Sequence, residues 1–455
     1  MRARISIAFA YAFAALCADP TALAANGDVD PTFNAPFGYD LQPFDLGGNN
    51  ADSIVAVLPQ PGGKLVMVGR AVNGTNSAVI ALKRLNADGT YDPSFNAGAG
   101  YSTFALASGT YQSALPYANA AAIDAQGRVV VAGSTATDDC SYAARFTADG
   151  AVDATFGAGG VYVDCPATGH RITYWDVAID ASGRPVLAGR HADTSGDLTL
   201  RSSLFVRRLT NTGHTDATFH GGSAYLRSVG DVADSLDAAG AIAVDSSGRI
   251  VVGGSAQGAS YDSLVLLRLT GAGMPDASCG ADGLVHLGAA ANSDAFATAI
   301  VLRDAHHAFL AGTYTDRTTA GSGLAYAEMD ADTCAPGSSG IVAPASGAAR
   351  SGRAVAASDG AVYLSYSQLT STQAGSPWAA GVLAFYDTLP YGGQLYTIVA
   401  GMSSYGQGIA LSGGRPLQAL QQQRGGSDYD YAVVRFANDR IFYANFERDG
   451  AKSTF

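Results

Sequence analysis

Short apolar runs separated by turn residues recur along the whole chain. A Gly or an Asp-x-x-Gly segment followed by an apolar run predicts a hairpin turn that enters a strand. Val129–Val131 is apolar at successive positions, which predicts a strand covered on both faces. In the stretch around these residues the pattern predicts four antiparallel strands, at about 118–124, 128–134, 141–147 and 160–165.

Two sequence segments repeat with nearly constant spacing. Arg84–Phe95 (RLNADGTYDPSF) recurs as Arg145–Phe156, with shorter matches at Arg208–Phe219 and Arg268–Cys279, and the glycines of the four copies lie 61, 63 and 60 residues apart. Asp124–Gly133 (DAQGRVVVAG) alternates with it in seven copies, of which the first and the last three are weaker. A period of this length predicts one four-stranded sheet per repeat. Seven sheets are expected, and eight remain the alternative count because the copies weaken after about residue 290.

Radial repetition of four-stranded sheets predicts an all-β fold, a β-propeller of seven blades. A linear solenoid is the alternative, but it needs polar caps at its ends, which the sequence does not contain. The last predicted third strand, Tyr431–Phe436, lacks the Gly-x-x-Asp-x-x-Phe segment that follows the others, and this segment stands at Gly27–Phe33 instead. Residues near 36–46 are therefore expected to complete the last blade and close the ring.

The repeated segments RLNADGTYDPSF and DAQGRVVVAG resemble the Delta-60 repeat family over roughly residues 27–290. The resemblance implies a β-propeller in an exported bacterial protein, and it implies no ligand or activity. The segment Asp439–Glu447 is similar to a short IFxxGFE tail of exported proteins of some Gram-negative bacteria, with Asn445 where that tail has Gly. A last strand packed on the propeller rim is the alternative for this segment.

The N-terminal residues have the pattern of a secretion signal. Arg2 and Arg4 precede the apolar run Ile5–Cys17, and the small residues Ala22 and Ala24 flank Leu23. This predicts cleavage after Ala24, with an N-terminal membrane anchor as the alternative. The expected division is a signal peptide (1–24), the propeller (25–437) and a C-terminal tail (438–455). The mature protein, without a transmembrane segment, is then expected in the periplasm, at the cell surface or in the medium.

Four cysteines remain after removal of the signal, an even number in an oxidising compartment. Cys140 begins a third strand and Cys165 ends the adjacent fourth strand, so these two residues are expected to be neighbours and to form a disulfide. Cys279 and Cys334 lie in corresponding loops of adjacent repeats and are expected to pair across blades. None of the four has the CxxC spacing of a zinc site.

Charge and motif content limit the possible chemistry. The formal net charge of −12 argues against nucleic acid as a partner. The seven histidines have no HExxH spacing, and neither a GxSxG elbow nor a phosphate loop is present, so no metal or cofactor is expected. One Asp, one Arg and one Phe per repeat predict structural roles: turn capping, pairing with acidic turn groups, and packing between blades. The repeated residues are Asp30, Asp92, Asp153, Asp216 and Asp276; Arg84, Arg145, Arg208 and Arg268; and Phe33, Phe95, Phe156 and Phe219.

Function is expected on the face that carries the loops between blades. Aromatic side chains at a pore mouth stack on sugars or anchor peptides. Trp175 is interpreted as a residue that packs between blades. One hypothesis is a monomeric, non-enzymatic binding module for an unknown protein or glycan, and the alternative is a carbohydrate-active hydrolase or lyase with its site at the central channel. Candidate aromatic residues are Tyr111, Tyr117, Tyr174, Trp175, Tyr261, Trp378 and Tyr429.

Overall fold

The computed structural model is a ring of seven four-stranded antiparallel sheets, as the repeat predicts. The predicted signal peptide, the C-terminal tail and Tyr111 lie outside the residues that the structure describes. The described residues are 28–44, 46–48, 51–75, 77–106, 116–135, 140–193, 201–230, 236–288, 292–344, 348–373, 375–386, 389–396, 401–426 and 428–437.

The strands follow each other along the chain, one blade per repeat, with the first strand of each blade at the central channel. Strand β1 (Tyr39–Gln42) comes first in the chain and belongs to the last blade. Blades 1 to 3 consist of β2 (Ser53–Pro59), β3 (Leu65–Val72), β4 (Ala78–Leu85) and β5 (Tyr101–Phe104); β6 (Pro116–Ile123), β7 (Val129–Thr135), β8 (Ser141–Phe146) and β9 (Val161–Asp164); and β10 (His170–Ile179), β11 (Pro185–Asp193), β12 (Arg201–Arg208) and β13 (Tyr225–Arg227).

The remaining four blades have the same strand order. Two single helical turns, Phe95–Gly98 and His220–Gly222, follow the third strands of blades 1 and 3. Blades 4 to 7 consist of β14 (Ala238–Val244), β15 (Ile250–Gln257), β16 (Asp262–Leu269) and β17 (Leu284–Gly288); β18 (Ser293–Leu302), β19 (His307–Asp316), β20 (Ser322–Asp330) and β21 (Pro336–Val342); β22 (Ala349–Ala356), β23 (Val362–Leu369), β24 (Trp378–Tyr386) and β25 (Leu389–Tyr396); and β26 (Ser404–Ser412), β27 (Arg415–Gly425), β28 (Asp428–Arg435) and β1.

The N-terminal strand closes the ring. β1 pairs antiparallel with β28, with Tyr39 opposite Val434 and Gln42 opposite Tyr431. Asp30 lies beside this junction and accepts a hydrogen bond from Nε of Arg435 at 2.8 Å. The predicted closure by residues near 36–46 is therefore confirmed, and the sheet that receives β1 has a complete set of four strands.

The repeated Arg, Asp and Phe residues fasten each blade to the next, and we call each such contact region a joint. In the joint between blades 1 and 2, Arg84 is buried and pairs with Asp92 at 2.7 Å, while its guanidinium lies 4.7 Å from the Phe95 ring centre. Arg84 also donates to the carbonyl of Ala148 in blade 2. The Phe95 ring covers Gly150 of blade 2, where an added Cβ would lie 2.4 Å from the ring. Only glycine fits at this position, and its φ of +90° also favours glycine.

The same joint recurs three more times with the same contacts. Asp92 also accepts hydrogen bonds from the backbone N–H and hydroxyl of Ser94, so the predicted turn-capping role of the repeated Asp is confirmed. The predicted Arg pairing and Phe packing are confirmed as well. The equivalent residues are Arg435, Asp30, Phe33 and Gly89; Arg145, Asp153, Phe156 and Gly213; and Arg208, Asp216, Phe219 and Gly273.

Two disulfides have the predicted pairing. Cys140–Cys165 joins the third and fourth strands of blade 2, where Ser141 lies opposite Asp164. Cys279–Cys334 joins blades 4 and 5. Cys279 stands at the repeated Phe position, and Cys334, with φ of +57°, occupies the place of the glycine. In the described part of the chain no helix is long and apolar enough to cross a membrane.

Candidate functional site

The innermost strand of every blade has a β-bulge at the same height in the central channel. In each pairing of first and second strands the register shifts once, by one residue in blades 1 to 5 and by two in blades 6 and 7. A bulge disrupts the ladder locally and re-aims its residues. The bulges therefore surround the channel with backbone groups and with the following residues: Val55, Asn119, Trp175, Gly240, Thr298, Gly352, Arg353, Gln407 and Gly408.

Arg353 crosses this channel and closes it. Its guanidinium, which starts from blade 6, donates to the carbonyls of Trp175 at 2.7 Å and Thr298 at 3.1 Å. Longer contacts of 3.4 Å reach the carbonyls of Gly240 and Asn119. One side chain thus binds the inner strands of blades 2, 3, 4 and 5. Because guanidinium carries five donors in one plane, it suits a ring of carbonyl acceptors better than an ammonium group does.

Asp176 of blade 3 neutralises Arg353 at 2.9 Å. The other contacts of this carboxylate are backbone N–H groups, those of Val177 and of Ile242 in blade 4, each at 2.9 Å. Burial raises the pKa of Asp176, and the Arg353 charge and the N–H donors oppose that rise. The carboxylate of Asp176 therefore holds Arg353 in place. We call the Arg353 side chain that spans the channel the plug.

The plug separates two cavities. The lower cavity, of about 190 Å³, lies beside residues that follow the bulges, such as Leu58 and Ile300. The upper cavity, of about 490 Å³, lies beside the bulges and the residues before them, and we call it the vestibule. This volume is within the range of small-ligand sites. The vestibule is lined by Val55, Ala118, Asn119, Trp175, Gly240, Phe296, Ala297, Thr298, Ser351, Gly352, Arg353 and Gln407.

Two aromatic and four uncharged polar side chains are among the twelve residues that line the vestibule. Phe296 is 47% exposed although its strand is the innermost of blade 5, and Trp175 is half-buried beneath the guanidinium of Arg190. Thr298 donates to the hydroxyl of Ser351 at 2.8 Å, so two hydroxyl groups are held together in the wall. Among the described residues that line the vestibule, Arg353 carries the formal charge. The vestibule can therefore stack a ring and hydrogen-bond to its substituents.

A row of aromatic rings extends from the same strands toward the rim between blades 6 and 7. Trp378 lies 6.0 Å from Tyr405, and Tyr405 lies 6.3 Å from Tyr429, all between ring centres. The guanidinium of Arg350 lies 4.9 Å from the Trp378 ring centre. We call these three rings and Arg350 the aromatic arc. Arg350 precedes Ser351 of the vestibule, and Tyr405 lies two residues before Gln407, so the arc and the vestibule share strands β22 and β26.

The structure brings some of the predicted aromatic residues together and separates others. Trp378 and Tyr429 meet through Tyr405, whereas Tyr117 lies apart from them under the guanidinium of Arg70, 5.0 Å from the ring centre. Tyr174 is buried, and its hydroxyl donates to Asp164 at 2.6 Å, so it is no surface aromatic. Tyr261 lies beside Arg317, near the loop between the second and third strands of blade 4.

Trp175, interpreted from the sequence as a residue that packs between blades, is the bulge residue of blade 3 and lines the vestibule. Sequence reasoning also missed Arg353, Asp176, Phe296 and Tyr405. The sequence did contain a signal for Arg353 and Asp176, because each is a charged residue inside a predicted first strand that is otherwise mainly apolar. Which partner it would meet across the ring depends on the closure, which the local sequence does not encode.

Two neighbouring histidines of blade 5 are exposed, and each pairs with an aspartate. His306 pairs with Asp332 at 2.7 Å and His307 with Asp304 at 2.8 Å, both on the face with the turns between first and second strands. The hydrogen bond and charge of Asp332 raise the pKa of His306. In the described ranges, no group of three or more His, Cys, Asp or Glu side chains is placed to hold a metal ion.

One family model matches the chain. Its description is a domain of unknown function (DUF5122) beta-propeller, and it matches residues 60–95, 126–156 and 246–278. These segments contain the two repeated motifs of blades 1, 2 and 4. These segments of the chain are therefore similar to a β-propeller repeat family. A search of curated proteins found no match.

Several solved structures are similar to this chain at low sequence identity. The Dos1 propeller is 10% identical with a TM-score of 0.46, covering 87% of this chain and 95% of that one. Polysaccharide lyase Uly1 is 11% identical with a TM-score of 0.44, covering 84% and 89%. The beta-propeller domain of the Trilobed protease from Pyrococcus furiosus, described with an open velcro topology, is 8% identical with a TM-score of 0.40, covering 86% and 98%.

Proposed function

We propose that this protein is an exported, non-enzymatic binding propeller that holds a glycan or a peptide in the vestibule and on the aromatic arc. The observation that carries the proposal is the vestibule itself, a cavity of about 490 Å³ with exposed aromatic walls and a floor closed by Arg353. A closed floor favours binding at one end of the channel over passage through it. Two disulfides support an oxidising compartment.

Residues 1–24 are then a signal peptide that is removed on export, and the mature chain acts as a monomer. The ligand enters from the face that carries the loops between blades, because the vestibule lies on that side of the Arg353 plug. Trp175 and Phe296 provide stacking surfaces, and Asn119, Ser351 and Gln407 add polar groups. The one carboxylate that contacts the plug, Asp176, is held by Arg353 and by two backbone N–H groups, so it orients the floor.

The test is binding of the purified, disulfide-bonded protein to an array of glycans and peptides, followed by affinity measurements on the best ligand. Trp175→Ala and Trp378→Ala are each expected to weaken binding by about tenfold or more, since each removes a stacking surface. Phe37→Ala is the matched control, because Phe37 is 59% exposed but lies in the turn that precedes β1, at the opposite end of the strands.

Two outcomes would contradict the proposal. Equal binding by wild type, Trp175→Ala and Trp378→Ala would place the ligand elsewhere. Appearance of shortened glycan products during the incubation would replace it with the enzyme alternative, a hydrolase or lyase at the channel. Product analysis by mass spectrometry is therefore included with each positive glycan.

A further inference from the structure

Arg350 differs from the arginines of the repeats in its partners. Arg128, Arg184 and Arg249 each pair with the Asp four residues earlier, at 2.5–2.7 Å. Arg350 is exposed and lies over Trp378, and among the described residues it has no carboxylate partner. Its charge is therefore neutralised by no side chain of the part of the chain that the structure describes.

The position over Trp378 leaves the donors of Arg350 available. A guanidinium that stacks on an aromatic ring contacts the ring with its flat face. Its N–H groups lie in the guanidinium plane and point away from the ring, so they remain free to donate hydrogen bonds. Those edges match the two oxygens of a carboxylate or a sulfate in a fork geometry. The indole also limits the side-chain rotamers of Arg350, so less conformational entropy is lost when an anion binds.

The surroundings of Arg350 favour binding of a negatively charged ligand at this position over its binding elsewhere on the protein surface. The chain has a formal net charge of −12, and Arg350 is exposed without a carboxylate partner among the described residues. Asp430, near the far end of the aromatic arc, is buried and bound by Arg424 at 3.0 Å. An anion is therefore attracted at the arc and repelled by much of the remaining surface.

We infer that the ligand is an acidic glycan whose carboxylate or sulfate binds Arg350, which covers a face of Trp378, while its sugar rings stack on Tyr405 and Tyr429. This inference rests on the proposed function. An acidic peptide is less suited, because proteins bind acidic motifs with clusters of arginines, whereas the aromatic arc contains a single arginine, Arg350. The aromatic arc offers separate ring faces instead, and the adjacent Ser351 and Gln407 suit sugar hydroxyls.

The experiment compares a charged glycan with its uncharged counterpart. The probes are uronic acid oligosaccharides and sulfated oligosaccharides from the array, the same oligosaccharides after reduction of the carboxyls to alcohols or removal of the sulfates, and polyglutamate. Affinities are measured for wild type, Arg350→Gln, Arg350→Lys and Arg317→Gln. Arg317 is the matched control, since it also lies over a ring, that of Tyr261, but is bound by both oxygens of Asp294 at 2.6 and 2.7 Å.

The expected result is that wild type binds a charged oligosaccharide about tenfold or more tightly than the uncharged form, with a preference that weakens as salt rises. Arg350→Gln removes that preference, Arg350→Lys retains part of it, and Arg317→Gln leaves it unchanged. Thermal melts of the two Arg350 variants are expected to coincide with that of wild type, because Arg350 is exposed.

The remaining outcomes are distinguishable. Equal binding of charged and uncharged oligosaccharides, with no effect of Arg350→Gln, overturns the inference and leaves the proposed function standing. Binding of polyglutamate alone overturns the acidic glycan in favour of an acidic peptide. No binding of any glycan or peptide on the array overturns the proposed function together with this inference.

Discussion

All seven blades have four strands, but the joints that run from blade 7 through blade 1 to blade 4 differ from the joints that run from blade 4 to blade 7. Four joints use the buried Arg–Asp pair and the Phe ring over a glycine. Between blades 4 and 5 the ring contact is replaced by the disulfide Cys279–Cys334, while Arg268 still pairs with Asp276 at 2.9 Å and donates to the carbonyl of Asp332 at 2.9 Å. The covalent bond occupies the place of the aromatic contact.

The next two joints have lost the motif altogether. Between blades 5 and 6, Arg303 pairs with Glu328 at 2.6 Å and donates to the carbonyl of Gly360, so the positive and negative partners come from other positions in the repeat. Between blades 6 and 7, the buried amide of Gln418 donates to Ser365 at 2.6 Å and to the carbonyl of Gly381 at 2.7 Å. Each joint therefore contains a donor, buried or partly buried, that is aimed at a carbonyl of a neighbouring blade, and several side chains can supply it.

The largest expected effect comes from removing the closure on which all joints depend. Deleting residues 26–46 takes away β1, Phe33 and Asp30, so β28 loses its neighbour and Arg435 its carboxylate. We expect loss of the cooperative unfolding transition, measured by circular dichroism during heating. Phe37→Ala, within the same segment, is expected to keep the transition. A deletion variant that melts at the wild-type temperature would show that β1 does not close the ring.

The second prediction tests whether the disulfide and the Phe–Gly contact are interchangeable. Replacing both Cys279 and Cys334 by Ala is expected to lower the free energy of unfolding by about 4 kcal/mol, since the bond closes a segment of 55 residues. Cys279→Phe with Cys334→Gly is expected to recover part of this loss, because it restores the repeated contact. Chemical denaturation of the three proteins gives the comparison.

Replacing Cys140 and Cys165 by Ala is the control for that experiment, because this bond lies within one blade and spans only 25 residues. A smaller loss is expected there. If the Phe–Gly variant is no more stable than the Ala–Ala variant, the two kinds of joint are not equivalent.

The smallest expected effect is the dependence of folding stability on pH that the repeated Asp carboxylates cause. Burial raises the pKa of Asp216, but hydrogen bonds from Thr218 and the Arg208 pair outweigh it, so the pKa lies below its ordinary value. The native state then binds fewer protons than the unfolded chain. The stability that this carboxylate contributes is complete above its ordinary pKa near 4 and is lost as the pH falls through its lower pKa in the native state.

We therefore expect Asp216→Asn to melt at a lower temperature than wild type at pH 7, with the difference shrinking as the pH falls below about 4. Melting temperatures across a pH series measure it. Asp282→Asn, at an exposed turn, is the control and is expected to follow wild type. A constant difference between Asp216→Asn and wild type at every pH would contradict the electrostatic explanation.

Much of the fold could be predicted because the repeat encodes local structure. The strands of blade 2 lie within two residues of their predicted bounds, and Cys140–Cys165 followed from antiparallel neighbours. Blades 5 and 6 could be placed only approximately, because the repeated segments weaken after about residue 290.

The candidate site was much less predictable. Trp378 and Tyr429 were named as separate loop aromatics, while Tyr405, which connects them, lies in an innermost strand that the apolar pattern marks as structural. Arg353 meets carbonyls of residues 55 to 234 positions away in the sequence. Such contacts arise only when the ring closes.

The sequence by itself determined the blade, its turns, its joints in the regular region and the closing strand, because each depends on a short segment whose conformation and neighbours repeat. The tertiary structure alone decided the channel, where inner strands from all seven blades face one axis. Bulges from distant repeats meet there at one height, and single non-repeated residues such as Arg353 and Asp176 find each other across it. Their partners are set by radial geometry, which no local pattern records.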